Sequence, residues 1–418
     1  DNGTINYYLG LNKFITDGIS AMNDNGEADG YRNDSLVGTL GYKINDNFKI
    51  ENSVRLTDSY VDYDAVNKNQ TDMNDSTDNL EGSYTLKLLH NKNKFKNKLT
   101  YNKTHIERDT TSYTNSYTNY FGYRDAINYL GEYNFNLDNK IVYGIESEFD
   151  SSRYPIDWGQ TETVHDESVI SQYFDFQFRL IQNLYSTVGL RSDKHSAVGR
   201  KTSGRTTLAY QLDGNSKIRS SLGAGVRFPA LYDYKYGSST VLAKGSSYDD
   251  LQSERGLSFD LGYDTYLDDL DLGFGITYFK TKTKNPLVSN ARTEWVVRNA
   301  NGVNTSEGIE LDGNWNPVNK KIDLNFSYTF TDSFDAATCD PEEKRVYSDN
   351  ECRHSGSKID AYKVRVPRHA AASQINYNVN SKFKNSLLIK YVGETRDFGN
   401  TNDNWTDQIL TDYITFDL

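Results

Sequence analysis

Apolar and polar residues alternate in short runs along this chain, and the alternation recurs from one end to the other. Leu257, Phe259, Leu261 and Tyr263 alternate with Ser258, Asp260, Gly262 and Asp264. Leu272, Phe274, Ile276 and Tyr278 then alternate with Gly273, Gly275 and Thr277. A period of two puts every apolar member on one face of a strand. A short polar turn around Leu267-Asp268-Asp269 joins the two runs, and a long polar segment with aromatics, Arg227 to Gln252, precedes them.

The same unit of long loop, strand, short turn and strand accounts for the rest of the chain. It predicts strands over Thr4–Ile15, Ser35–Ile44, Lys49–Tyr60, Leu80–Leu89, Lys98–Glu107, Tyr123–Phe135, Ile141–Phe149, Val169–Leu180 and Tyr185–Ser192. After these come Thr206–Leu212, Ile218–Val226, the two runs above, Thr305–Trp315, Ile322–Phe330, Val366–Val379, Phe383–Gly393 and Leu410–Leu418. Short turns such as Asn45-Asp46-Asn47, Asn136-Leu137-Asp138-Asn139, Asp213-Gly214-Asn215 and Asn380-Ser381 alternate with the long loops. No segment has a convincing helical period, so about eighteen strands make the chain all-β.

The parity of the connections selects the architecture. A sandwich mixes short and long connections, whereas an antiparallel transmembrane β-barrel puts short turns on one side and long loops on the other. Strands of ~9–11 residues suffice to cross when tilted. The Leu, Ile, Phe and Tyr positions, Phe259 and Phe326 among them, are then expected to face lipid, and the small or charged positions the lumen. No stretch approaches the ~18 apolar residues of a membrane-spanning helix, which says nothing against strands. The 36% hydrophobic content and the mean hydropathy of -0.74 suit strands that meet lipid with every second residue. With 32 Tyr, 19 Phe and 4 Trp the chain is too aromatic for disorder, and 6 Pro is low, as sheets require. The net charge of -12 argues against a general nucleic-acid binder. The chain opens at Asp1 just before a strand, which is expected of a processed protein or a fragment.

Three features carry candidate chemistry. The loop VDYDAVNKNQTDMNDSTDN holds Asp62, Tyr63, Asp64, Asp72, Asp75 and Asp78. Such a set suits Ca2+, a hard cation that takes 6–8 oxygens, with Asp109 of the neighbouring loop as a further donor; the plain alternative is a solvated acidic loop. Aromatics in the inferred loops, Tyr113, Tyr117, Tyr120, Trp158, Tyr232, Tyr234, Tyr236, Trp295 and Trp405, suit a large ligand with flat apolar area. Ordinary loop packing accounts for them equally. Cys339 and Cys352 share one long polar loop, as a disulfide of an oxidising compartment or as two free thiols. A bridge there would contribute roughly 3 kcal/mol. The six His are scattered, and no phosphate-binding or nucleophile-elbow motif is present.

Three stretches resemble one known family. GVRFPALYDYKYG followed by LQSERGLSFDLGYD, with Phe228-Pro229, Leu251 and Glu254, is similar to the barrel of TonB-dependent outer-membrane receptors. Gly189, Arg191, Asp193, His195 and Gly199 resemble that family's central strand pair, and Asn299, Gly308, Glu310 and Leu311 resemble the strand two further on. Within the family the layout is most similar to the vitamin B12 (cobalamin) receptors, whose calcium-binding loop Tyr63 and Asp64 match. The resemblance implies a bacterial outer-membrane barrel of about 22 strands closed by a plug domain. It also implies a receptor, not an enzyme, that takes up cobalamin or a ferric siderophore and couples to TonB through the plug. On that alignment the chain is an incomplete barrel without plug or TonB box. A porin with an open lumen is the first alternative, and a barrel hydrolase a remote one by fold analogy.

Overall fold

The computed structural model describes residues 3–19, 28–64, 74–112, 117–154, 163–231, 233, 251–290, 296–299, 303–317, 321–334, 363, 365–380, 382–401 and 404–418. The first strands are β1 (Ile5–Thr16), β2 (Tyr31–Lys43), β3 (Phe48–Asp64), β4 (Asn74–Lys92), β5 (Phe95–Thr111), β6 (Tyr117–Asn134) and β7 (Lys140–Tyr154). They are followed by β8 (Thr163–Ile181), β9 (Leu184–His195), β10 (Gly199–Gln211), β11 (Ser216–Arg227), β12 (Glu254–Leu267) and β13 (Leu272–Lys284). Next come β14 (Leu287–Asn290), β15 (Val296–Asn299), β16 (Val303–Trp315), β17 (Ile322–Phe334) and β18 (His369–Asn378). The last are β19 (Lys384–Val392), β20 (Thr395–Thr401), β21 (Asn404–Leu410) and β22 (Tyr413–Asp417). Eighteen of these strands form one antiparallel sheet, while β14–β15 and β20–β21 are separate two-stranded ribbons. Contacts group the chain into one unit of Asp1–Asp175, Arg191–Lys201 and Ala230–Lys235, and a second of Phe176–Leu190, Thr202–Pro229 and Tyr236–Leu418.

In each unit the register builds one apolar and one polar face. In the first unit, Ile5, Tyr42, Ile50, Leu88, Leu99, Tyr129 and Ile145 lie side by side across β1 to β7. The adjacent row on the other face is Asn6, Gly41, Glu51, Lys87, Thr100, Asn128 and Glu146. In the second unit, Ile218, Tyr263, Ile276, Leu311, Tyr328, Ala371, Tyr391 and Ile414 make a row from β11 to β22. Its opposite-face neighbour is Lys217, Asp264, Gly275, Asp312, Ser327, Ala372, Lys390 and Thr415. Phe259 and Phe326 stand on the apolar face, as expected.

Burial is inverted relative to a water-soluble domain. Among the described residues few apolar side chains are buried, Ala126, Val169, Pro229 and Leu251 among them, whereas Ser171, Asp193, His195, Ser253 and Thr277 are all buried. Leu222, Leu257 and Leu261 keep 51%, 49% and 47% of their surface. An uncovered apolar face of this extent does not persist in water; in a membrane strand it meets lipid. Aromatics flank the band at the short-turn end. Phe48 stacks on His90 at 4.4 Å, Phe95 lies 4.6 Å from Tyr133, and the Trp315 indole donates to the Leu270 carbonyl at 3.0 Å.

Four short turns share one device. The side-chain oxygens of Asn45, Asn136, Asp213 and Asn380 each accept from the backbone N–H groups two and three residues on, at 2.7–3.0 Å. These Asx turns satisfy donors that the ladder leaves open. At the two-residue turns, Asn93 and Asn183 take φ of 54° and 67°, the left-handed region that Asn tolerates best after glycine.

At the long-connection end the strands outrun the sequence-based expectation. β3 continues to Asp64, β4 begins at Asn74, and β8 is 19 residues long. Beyond the lipid band both faces are polar, so the alternation fades although the ladder continues. On the apolar face of β3 the change comes at Asp58, in register with Asp34, and Lys13 pairs with Asp34 at 2.9 Å. The stretch read as an acidic loop is therefore a hairpin at its base. β18 starts at His369 rather than Val366, because Pro367 brings no N–H to the ladder.

Two outcomes follow from this fold. Leu261→Arg, in the middle of the apolar face, is expected to lower folding stability in lipid vesicles by about 2–4 kcal/mol, while Asn325→Arg on the polar face changes it by well under half as much. The Asp213 carboxyl is held below the usual carboxylate range, chiefly by the Asn215 N–H and also by that of Ser216. Its folded value is depressed, so its contribution is present above the unfolded value and lost as pH falls through the folded one. The acid-side difference between wild-type and Asp213→Asn unfolding curves is expected to show that loss, because Asn keeps the acceptor but does not titrate.

Candidate functional site

The polar face of the first unit carries a dense charge network. On β6 and β7 the register sets Arg124 opposite Asp150, and the guanidinium donates twice to the carboxylate, at 2.6 and 2.8 Å. Glu148 and Glu146 follow on the same face of β7. Arg191 of β9 donates to Glu146 at 3.1 Å, to Asp193 at 2.7 Å and to the Ser171 hydroxyl at 2.8 Å. Ser171 in turn donates to Asp193 at 2.6 Å. His195 is fully buried, and its Nδ1 accepts from the Ala197 and Val198 N–H groups at 3.0 and 3.4 Å. The neutral ring therefore carries its hydrogen on Nε2, which donates to Glu167 at 3.2 Å. Ser171 is bound to a carboxylate and an arginine in this network, so it lacks the histidine base of a nucleophilic triad. The arrangement offers fixed donors and acceptors of both signs, suited to hold a polar partner rather than to cleave one.

The second unit holds a similar lock. Arg219 donates to Asp264 at 2.9 Å and reaches past β12 to the Thr277 hydroxyl on β13 at 2.7 Å. It can do so because Gly262 lies beneath it; a Cβ there would sit 2.8 Å from the guanidinium carbon. Two of the three stretches that carry the family resemblance meet near the other end of β12. Pro229, Leu251 and Ser253 are buried. Glu254 accepts from Arg227 at 3.0 Å and from the Leu287 N–H at 2.7 Å. The Asn299 amide accepts from the Gln252 N–H at 2.7 Å and donates to the Gln252 and Asn285 carbonyls, both at 2.8 Å. Gly308 is required nearby, since a Cβ there would fall 1.9 Å from the Phe330 carbonyl oxygen.

The candidate calcium residues divide between the two faces. Asp62 and Asp78 share the apolar-side face with Tyr60, whereas Tyr63 and Asp75 lie opposite each other on the other face. Tyr60 donates to Asp62 at 2.6 Å, and this bond is the main cause that holds the phenol above its ordinary range. Asp64 belongs to the ladder, but its side chain and all of Asp72 lie outside the described residues. Among the described residues no three His, Cys, Asp or Glu side chains are grouped to hold a metal. Of the aromatic candidates, Tyr117 is 57% exposed at the start of β6. Its phenol is raised, first by its hydrogen bond to Asp109, which also accepts from Asn119. Tyr120 is on β6 as well, in register with Arg108. Tyr113, Trp158, Tyr232, Tyr234, Tyr236, Trp295, Cys339 and Cys352 lie outside the described residues, as does the side chain of Trp405. The charge network on the polar face was missed by sequence reasoning, although Glu146 and Glu148 alternate with Ile145, Ser147 and Phe149 inside a predicted strand and Asp150 follows directly after it.

An antiparallel sheet with a lipid-facing apolar side, a charged polar side and alternating short and long connections defines a transmembrane β-barrel of the bacterial outer membrane. Residues 8–418 match the family described as TonB dependent receptor-like, beta-barrel, and the chain belongs to it. It is thus a barrel of receptors that transport, not of enzymes. No curated protein matches the sequence. Among solved structures the chain is similar to the siderophore receptor PirA from Acinetobacter baumannii, with a TM-score of 0.77 at 13% identity over 99% of this chain and 68% of that one. A mutant of the ferric enterobactin receptor PfeA from Pseudomonas aeruginosa gives 0.75 at 14% identity, over 98% and 67%. The FrpB iron transporter from Neisseria meningitidis gives 0.75 at 12%, over 99% and 69%.

Glu254→Ala is expected to cost about 1–3 kcal/mol in vesicle-based unfolding, because the Leu287 N–H and Arg227 lose their acceptor. Glu254→Gln keeps one carbonyl acceptor and is expected to recover part of the loss.

Proposed function

We propose that the whole protein imports a large, scarce iron chelate of the ferric siderophore class, recognised through the long connections and passed along the charged polar face. Family membership over residues 8–418 carries the transport part of this reading. The substrate class is supported by the names of the similar structures, two siderophore receptors and an iron transporter. The many aromatics in the long connections, with Tyr117 exposed at the start of β6, suit a chelate with flat apolar edges. Energy would come from TonB acting on a plug segment, the arrangement that the family name implies. Cobalamin is the second reading, favoured by Tyr63 and Asp64, and Ca2+ held by Asp64, Asp72 and nearby aspartates belongs to it.

Titration of the full-length receptor with ferric catecholate and hydroxamate siderophores, and with cyanocobalamin with and without Ca2+, tests the assignment. Submicromolar binding of one iron chelate, insensitive to Ca2+, is expected. Calcium-dependent binding of cyanocobalamin alone would overturn the siderophore reading and leave the receptor class standing.

A further inference from the structure

The lipid-facing side of the first unit carries one open ion pair. On β5 this face runs from Phe95 through Leu99 and Tyr101 to Lys103, and on β6 from Tyr133 through Tyr129 and Ile127 to Asp125. The register sets Lys103 opposite Asp125. Lys103 is eight residues on from Phe95 and Asp125 eight before Tyr133, short of the ~9–11 that one tilted crossing takes. Tyr123 and then Phe121 continue the same face beyond Asp125, so apolar surface borders the pair above and below. Ionisable groups at such positions are costly against lipid and commonly turn toward protein.

The pair leaves bonding capacity unused. The Lys103 ammonium is 3.6 Å from Asp125 Oδ1, which accepts from the Tyr101 hydroxyl at 2.7 Å. Among the described residues Lys103 Nζ donates no hydrogen bond and Asp125 Oδ2 accepts none. Their side chains keep 53% and 37% of their surface. The lipid-facing pair of the second unit differs, since Lys280 and Glu307 close at 2.5 Å within the chain. An ammonium with free donors beside a carboxylate with a free oxygen is a self-complementary patch of no net charge. A twofold axis along the membrane normal, passing between β5 and β6, sets each ammonium against the carboxylate of the other copy and engages both groups at once. A foreign charge of one sign would engage one group and leave the other open. We propose that Lys103 and Asp125 hold two copies of the receptor together in the plane of the membrane, through two reciprocal ion pairs set within the exposed apolar surface of Ile127, Phe149 and Tyr123.

Energy transfer between donor- and acceptor-labelled full-length receptor in phosphatidylcholine vesicles, followed as added lipid dilutes the protein, tests the contact. The wild type is expected to show transfer beyond that of random encounters. K103M/D125L keeps the face apolar and is expected to weaken self-association by roughly tenfold or more, as the loss of two desolvated ion pairs should give. K103E and D125K are each expected to lose transfer alone and to regain it when mixed, because one copy then offers two acids and the other two bases. Heat-modifiable electrophoretic mobility verifies that each variant is folded. Random-encounter transfer in the wild type, or association of folded K103M/D125L equal to that of the wild type, would overturn the proposal.

Discussion

Hydrocarbon offers no hydrogen bond to a backbone N–H or C=O, and an unpaired group there costs several kcal/mol. That constraint leaves a strand one option, which is to pair along its whole crossing. The chain meets it by antiparallel pairing between chain neighbours, as from β1 to β7 and from β11 to β13. Once every backbone group is committed sideways, the side chains divide by parity alone, with one set to lipid and one set away from it. The inverted burial, with Ser171, His195 and Thr277 enclosed and Leu222 and Leu257 uncovered, is the direct result.

The same parity explains what the sequence shows and what it hides. Within the lipid band the runs Leu257 to Tyr263 and Ile322 to Phe330 alternate because lipid demands it, so these strands are readable residue by residue. Above the band that demand ceases. The continuation of β3 through Tyr63 and the start of β4 at Asn74 follow the backbone ladder, and composition there looks like that of a loop. The ribbons β14–β15 and β20–β21, inside stretches read as loops, escape notice for the same reason. The family motif residues were visible one by one, but the closure of Pro229, Leu251, Glu254 and Asn299 around one strand end depends on register, which no local pattern encodes.

On the polar face, fixed charges are kept from collapse by pairing with one another. Arg124 with Asp150, Arg191 with Glu146 and Asp193, and Arg219 with Asp264 each span neighbouring strands, so they tie the sheet together while presenting polar atoms. Small residues make this geometry possible; Gly262 lets Arg219 lie flat against the sheet. A surface of that kind presents hydrogen-bond donors and acceptors of both signs in fixed positions.

The sidedness of the strands is tested most directly by spin labels placed one at a time from Arg255 to Leu267, in a C339S/C352S background of the full-length receptor in bilayers. Collisional relaxation by oxygen and by a water-soluble nickel chelate reports lipid and water at each position. The account predicts strict alternation, with oxygen dominant at positions 257, 259, 261 and 263 and the chelate dominant at 258, 260 and 262. Uniform accessibility to the chelate along β12, or alternation of the opposite phase, would contradict it.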